Sequence, residues 1–265
     1  GVPTLHPAES QISRPDQGSL GSLTALMLEP YDGTENCGVA VTPAGQIRAW
    51  VEAASRGGLA VAIHAIGDRA NRVCLDILEE TRPLWAPQGL RARIEHVQLL
   101  HTDDLPRLAQ LGVVASMQPI HCTQDLFLAE RYWGRRSRYA YAWRSLLRHG
   151  TVLAFGSDCP VETPDPIRGL YAALTRRRED GYPPGGWYPE ERLDAEAAVR
   201  AYTLGAAFGM GEEGRWGALR PGSYADLVLL SQDVFEVLPE AVLATWVLAT
   251  VVGGRLVYQA PDLGA

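Results

Sequence analysis

The sequence predicts an α/β protein of the (β/α)8 TIM-barrel type, represented by its later strands and followed by strands of a small β module. Three observations predict this. Four strand and helix units follow one another along the chain, a polar residue stands at or just past the end of each predicted strand, and short β-rich runs replace this pattern after Gly211. We therefore expect a partial barrel over residues 1–210 and the β module over 211–265.

Composition narrows the class of protein before any motif is considered. The chain has 265 residues, 46% of them apolar, which is enough to bury a core. Its net charge of -7 is spread without single-sign blocks, so a small-molecule substrate is expected, with no nucleic acid or membrane as partner. The four cysteines are far apart and predict neither a thiolate zinc site nor disulfides. No signal peptide or run of about 18 apolar residues is present, so we expect a soluble, cytoplasmic protein.

The first predicted unit lies between residues 43 and 80. A helix is expected near 43–56, where Thr42 can cap the helix and Pro43 suits its first turn. The continuously apolar run that follows is typical of a parallel strand buried on both faces, and this strand ends on His64. A second helix is expected from about Asp68 to Glu80, because its apolar residues form a broad face.

The next units repeat this pattern. Strands are expected near 91–97 and 112–117, with a short helix over 102–110 between them. The segment 120–140 is dense in aromatic and basic residues. It is interpreted as a solvated loop anchored by aromatic side chains, or as a lid that contacts substrate through cation-π interactions.

The last unit begins with a helix that ends at Gly150. A strand is expected over 151–157, followed by helices near 166–178 and 194–208. Beyond Gly211, short β-rich runs divided by Pro-Gly and Gly-Gly turns are typical of antiparallel strands.

The polar residues at the strand ends distinguish between two parallel architectures. An open doubly wound sheet and a barrel both fit the alternation of strands and helices. The sequence has no G-x-G-x-x-G or Walker A motif, which disfavours a nucleotide-binding open sheet, although a flavodoxin-like binding domain stays an alternative. In a barrel the strand ends form one ring. That ring would gather the four residues that stand at these ends: His64, His96, Gln118 and Asp158.

Two imidazoles and one carboxylate form a ligand set that suits zinc or a similar divalent ion with one position open to water. Bound zinc can lower the pKa of water to about 7 and polarise a carbonyl, so hydrolysis of an amide is a natural use. Each residue also has a structural interpretation. His64 and His96 could be core histidines, and Asp158 could cap a turn before Pro160.

Several motifs in chain order resemble the amidohydrolase superfamily, in its amidohydrolase 3 branch of metal-dependent hydrolases. They are IHAIGDRAN, RIEHVQLL, SMQPIH, VLAFGSDCPVE and GALRPGSYADLVLL, and the resemblance runs from about Gly18 to Gln259. It implies that His64, His96 and Asp158 are metal ligands and that Asp158 is also the catalytic proton shuttle. It implies one or two divalent ions, Zn2+ or another metal, and a small β-sandwich built by the closing strands.

The resemblance further implies hydrolysis of a carbon-nitrogen bond other than a peptide bond, in an amide, formamide or cyclic amide. It suggests that Gln118 and His121 contact substrate, although either residue could equally tie down its loop. These assignments complete the expected site.

Two features depart from the family pattern. Family members carry an H-x-H pair on the first barrel strand, which this sequence lacks, and Ser13 stands roughly where a lysine ligand would be expected. We therefore expect the chain to be the C-terminal portion of a longer enzyme. The alternative is a catalytically incomplete fragment or partner-dependent half. Exposed strand edges in such a piece predict poor solubility or a homo-oligomer.

Overall fold

The computed structural model describes residues 10–12, for their backbone alone, and residues 18–261. The described chain forms two compact units. The first contains the described residues up to Met117 together with Asp125–Leu153, and the second contains Gln118–Gln124 and the chain from Ala154 onward. Ser13 lies outside the described residues, and the domain boundary expected at residue 210 stays a prediction.

A parallel sheet forms the centre of the first unit. Its strands are neighbours in chain order and comprise β1 (Ser10–Ile12), β2 (Val61–Ala65), β3 (Arg93–His96) and β4 (Val114–Met117). Ile63 lies opposite Ile94 and Ile94 opposite Ala115, and all three side chains are buried, as expected for strands covered on both faces. The chain returns beside β4, where the Ala115 N–H donates to the Val152 carbonyl at 3.0 Å, and β5 (Leu153–Phe155) starts there.

Helices separate these strands, as the sequence predicts. They are α1 (Ala44–Arg56), α2 (Asp68–Trp85), α3 (Arg107–Leu111), α4 (Pro119–Trp133) and α5 (Trp143–Arg148). Helix α2 continues beyond its expected end at Glu80 and includes Pro83. Pro83 lies in the last turn, where the buried Trp85 holds the helix end by donating its indole N–H to the Leu78 carbonyl at 3.0 Å.

The expectation of a loop over residues 120–140 is wrong, because this segment is α4 followed by a 3-10 helix at Gly134–Tyr139, and its contact with substrate stays a prediction. Leu126, Ala129 and Trp133 recur at helical spacing and are fully buried, so the segment has a core-facing stripe despite its many arginines. Arg136 is likewise engaged with the protein, since its guanidinium donates to the carbonyls of Glu29 and Pro30 at 2.8 and 2.7 Å.

The second unit combines helices with an antiparallel sheet. Its main elements are α6 (Pro166–Thr175), α7 (Ala195–Arg200), α8 (Ala206–Gly209), β6 (Leu227–Leu230), β7 (Val247–Val252) and β8 (Arg255–Gln259). A π-helical turn at Ala201–Gly205 joins α7 to α8, which confirms the helix expected near 194–208. The sheet order β6-β7-β8 is antiparallel throughout, as predicted.

The described helices differ from membrane-spanning helices in length or in apolar character. Within the described ranges, none combines the length and the apolar character that crossing a bilayer requires.

Candidate functional site

His64 and His96 come together at the ends of neighbouring parallel strands. The register places His64 of β2 opposite Glu95 of β3, and Ala65 opposite His96. The two histidines are therefore offset by one position at the ends of adjacent strands. Their imidazole centroids are 4.5 Å apart, and the rings meet edge to face at 69°. His96 is buried and His64 is half-buried. The structure thus pairs the two histidines that the sequence placed at strand ends.

One hydrogen bond indicates which nitrogen of His64 carries the proton in the neutral ring. Its Nε2 lies 3.3 Å from the carbonyl oxygen of Gly18. A carbonyl oxygen can only accept, so this hydrogen bond requires the proton on Nε2. In the neutral ring Nδ1 then carries the lone pair and is the nitrogen able to bind a metal.

The backbone at His96 is strained. His96 and the following Val97 both have left-handed conformations, with φ of 76° and 45°, which a β-branched residue rarely adopts. The Val97 N–H donates to the Ala65 carbonyl at 3.1 Å, and the Leu99 N–H donates to the Ile66 carbonyl at 2.9 Å. Sequence reasoning missed this feature, which redirects the chain at the point where His96 stands.

Asn71 of α2 stabilises the chain segments that follow β2 and β3. Its side chain is fully buried, and Nδ2 faces carbonyl oxygens at the ends of both strands. The closest are Gly67 at 3.0 Å and Leu99 at 3.1 Å. The sequence did carry a signal, because Asn71 is a polar residue on the helix face that also buries Leu75 and Leu78.

The carboxylate of Asp125 holds the chain segment just after His96. The Tyr141 hydroxyl donates to Asp125 Oδ2 at 2.6 Å, and Gln98 Nε2 lies 3.4 Å from the same oxygen. The Tyr141 backbone N–H also donates to the Gln98 carbonyl at 2.8 Å. Burial raises the pKa of Asp125, while the Tyr141 hydrogen bond opposes this.

The second unit brings together two other expected site residues, His121 and Asp158. His121 lies in the first turn of α4, where its backbone N–H donates to the Gln118 carbonyl at 3.1 Å. Its Nε2 is 3.9 Å from Asp158 Oδ2, and the Asp158 side chain is 40% exposed. The family resemblance implied that Asp158 is a metal ligand and proton shuttle, and it suggested that Gln118 and His121 contact substrate or tie down their loop.

The charge states of His121 and Asp158 suit the binding of a cation. Burial lowers the pKa of His121, and the Asp158 carboxylate partly opposes that shift. A neutral imidazole beside a carboxylate offers one nitrogen and one oxygen donor. Asp158 also has a left-handed backbone, with φ of 58°, like His96. Strained residues of this kind cluster at functional sites.

The chain is similar to proteins from a plant and a bacterium. The LONG AFTER FAR-RED 3 protein of Arabidopsis thaliana is 38% identical over 91% of this chain and 41% of its own length. The N-substituted formamide deformylase of Arthrobacter pascens is 28% identical over 78% of the chain and 38% of its own length. The chain therefore spans about two fifths of each of these relatives.

A solved structure agrees with these matches. The crystal structure of an uncharacterized metal-dependent hydrolase from Pyrococcus horikoshii OT3 is 33% identical, with a TM-score of 0.72. It covers 83% of this chain, which corresponds to 44% of that protein. Residues 10–258 match the sequence profile of the amidohydrolase family, and the chain belongs to that family.

Proposed function

We propose that the protein is a metal-dependent hydrolase that cleaves a carbon-nitrogen bond other than a peptide bond, in an amide, formamide or cyclic amide. The observation that carries this proposal is the contact between the His64 and His96 imidazoles at the ends of adjacent parallel strands. Membership of the amidohydrolase family supports it, as does a relative that is a formamide deformylase.

The proposed metal ligands are His64, His96 and Asp158, and we add His121 because it lies beside Asp158. Imidazole nitrogen and carboxylate oxygen are donors that suit Zn2+ and similar divalent ions. The hydrogen bond to the Gly18 carbonyl places the proton of neutral His64 on Nε2, so Nδ1 is the atom proposed to bind the metal. Burial favours the neutral, ligating form of His121. The donor chemistry therefore fits one or two divalent ions.

The chemistry assigned to the protein's own residues is acid-base catalysis. A bound divalent ion would lower the pKa of a coordinated water and polarise the substrate carbonyl. Asp158 accepts a proton from the attacking water, whose oxygen bonds to the carbonyl carbon. Asp158 then delivers that proton to the nitrogen as the carbon-nitrogen bond breaks. Gln118 contributes to substrate binding, whereas His121, which the resemblance placed in contact with substrate, is proposed as a metal ligand instead.

The finer architecture is part of the same proposal. We place the parallel strands in a (β/α)8 barrel over residues 1–210 and the strands of 211–265 in a small β-sandwich. The alternation of parallel strands with helices supports the barrel, because barrel enzymes have their sites at the carboxyl ends of strands. The substrate is accordingly a small molecule.

A metal-dependence assay tests the function. The purified protein is stripped with a chelator, reloaded with Zn2+, Mn2+ or Co2+, and supplied with formamides, linear amides and cyclic amides. We expect amine release from at least one class, lost on stripping and restored on reloading. Hydrolysis that persists at full rate in the stripped protein contradicts the metal mechanism.

A further inference from the structure

A cavity of about 260 Å³ opens beside His64 within the first unit. Its floor includes Ile47 of α1 and Cys74 of α2, which are both buried, and its rim includes the exposed Val39 and Val41. The first turns of α1 and α2 also line it. Helices that follow parallel strands begin at the carboxyl edge of the sheet, so the cavity lies at the same edge as His64.

The size and chemistry of the lining favour an apolar ligand group. A cavity of about 150 Å³ lined by apolar side chains holds benzene, so the larger volume here accommodates a branched alkyl group or one aromatic ring. Burial raises the pKa of the Cys74 thiol to about 12, so the thiol at the cavity floor is uncharged. No described residue contributes a carboxylate to the lining.

Arg69 adds one charge to this apolar space. It is the second residue of α2, it is exposed, and it lines the cavity with His64. Within residues 18–261 its guanidinium has no ion pair or hydrogen bond, unlike Arg72 one turn later, which donates to Asp104 at 2.9 Å. A guanidinium at an apolar cavity is suited to binding a carboxylate of the ligand.

We propose that this cavity binds the apolar side group of the substrate and that Arg69 binds a carboxylate on the same molecule. The substrate class is then a small amide with a branched alkyl or single aromatic group and a carboxylate, as in N-formylated apolar amino acids. The assignment rests on the proposed hydrolase function, because His64 serves both the cavity and the proposed metal site.

Direct binding tests this assignment without turnover. The probes are 4-methylpentanoate and its neutral analogue 4-methylpentanamide, and their dissociation constants are measured by titration calorimetry. We expect the carboxylate to bind about tenfold more tightly, which corresponds to about 1.4 kcal/mol, and Arg69→Met to abolish this preference. Arg148→Met, a change at an exposed arginine of α5, is the matched control and should leave the preference intact.

Cavity-filling variants test the apolar part. Val73→Phe should weaken binding of both probes, and Ala70→Leu, a change at another lining residue, serves if Val73→Phe does not fold. Equal affinity for the two probes, or unchanged affinity in a folded filling variant, overturns the assignment. Metal content is measured on the same samples. Selective carboxylate binding without metal would refute the hydrolase function alone, and metal binding without selectivity would refute the cavity assignment alone.

Discussion

The imidazole of His64 meets that of His96 with ring centroids 4.5 Å apart, although the two residues are 32 positions apart in the sequence. The parallel register of β2 and β3 brings the strand ends together, and the left-handed turn at His96 redirects the chain there. The parallel sheet thus brings together two imidazoles that are far apart in the sequence.

The proposed proton-transfer role of Asp158 predicts a lower turnover number when its carboxylate is removed. Asp158→Asn keeps the shape of the side chain but removes its basicity, so the turnover number for the best amide substrate should fall by about 10²-fold or more. Steady-state kinetics measure this. Asp233→Asn, at an exposed aspartate of the same unit, is the control and should retain activity. Turnover by Asp158→Asn within a few-fold of the parent would exclude Asp158 as the proton shuttle.

The buried Asn71 predicts a loss of stability. Asn71→Ala removes the donor that faces the Gly67 and Leu99 carbonyls, so the free energy of unfolding should fall by about 1 to 3 kcal/mol. Urea denaturation measures the change. The control is Gln46→Ala at an exposed position of α1, and equal stability of the two variants would show that Asn71 has no such role.

Substitution of glycine by alanine should change stability in opposite directions at Gly67 and Gly45. A Cβ at Gly67 would overlap the carbonyl of Leu26, so Gly67→Ala should destabilise the protein by about 1 to 3 kcal/mol. A Cβ at Gly45 in α1 meets nothing within 4 Å, so Gly45→Ala should stabilise the helix by up to about 1 kcal/mol. Thermal and urea unfolding compare them. A Gly67→Ala protein as stable as Gly45→Ala contradicts the close approach of the Leu26 segment to α2.

Asp125 predicts a specific pH dependence. Burial raises its pKa above 3.8, so the native protein binds this proton more tightly than the unfolded chain does. Stability from this group is therefore present at low pH and is lost as pH rises from 3.8 through the native pKa. Asp125→Asn keeps an oxygen that can accept from Tyr141 and removes the ionisation.

The comparison needs urea unfolding at a series of pH values from about 3.5 to 7. The stability of Asp125→Asn relative to the parent should increase as pH rises through that window. Asp103→Asn, at a side chain that is 77% exposed, controls for general charge effects. A relative stability of Asp125→Asn that stays constant or falls with rising pH would reverse the predicted sign.

Sequence patterns predicted strands β2 to β5 and most helices, because buried strands need apolar runs and helices need apolar residues at helical spacing, but they did not predict β1. They also predicted that His64 and His96 stand at strand ends. The left-handed conformations of His96 and Val97 could not be predicted, because hydrogen bonds to the end of β2 support them. Helix α4 was missed since its arginines and aromatics obscured the stripe of buried residues. The partners of Asp125 lie 16 and 27 residues away, beyond the reach of local patterns.

Metal content tests the central claim most directly. The purified protein, the double variant His64→Ala/His96→Ala and the control His149→Ala, at an exposed histidine that ends α5, are dialysed against Zn2+ and then against metal-free buffer. Inductively coupled plasma mass spectrometry then gives bound metal per chain. We predict about one or two ions in the parent and in His149→Ala, and a loss of at least one ion in the double variant. Equal metal content in all three proteins would contradict the assignment of His64 and His96 as metal ligands.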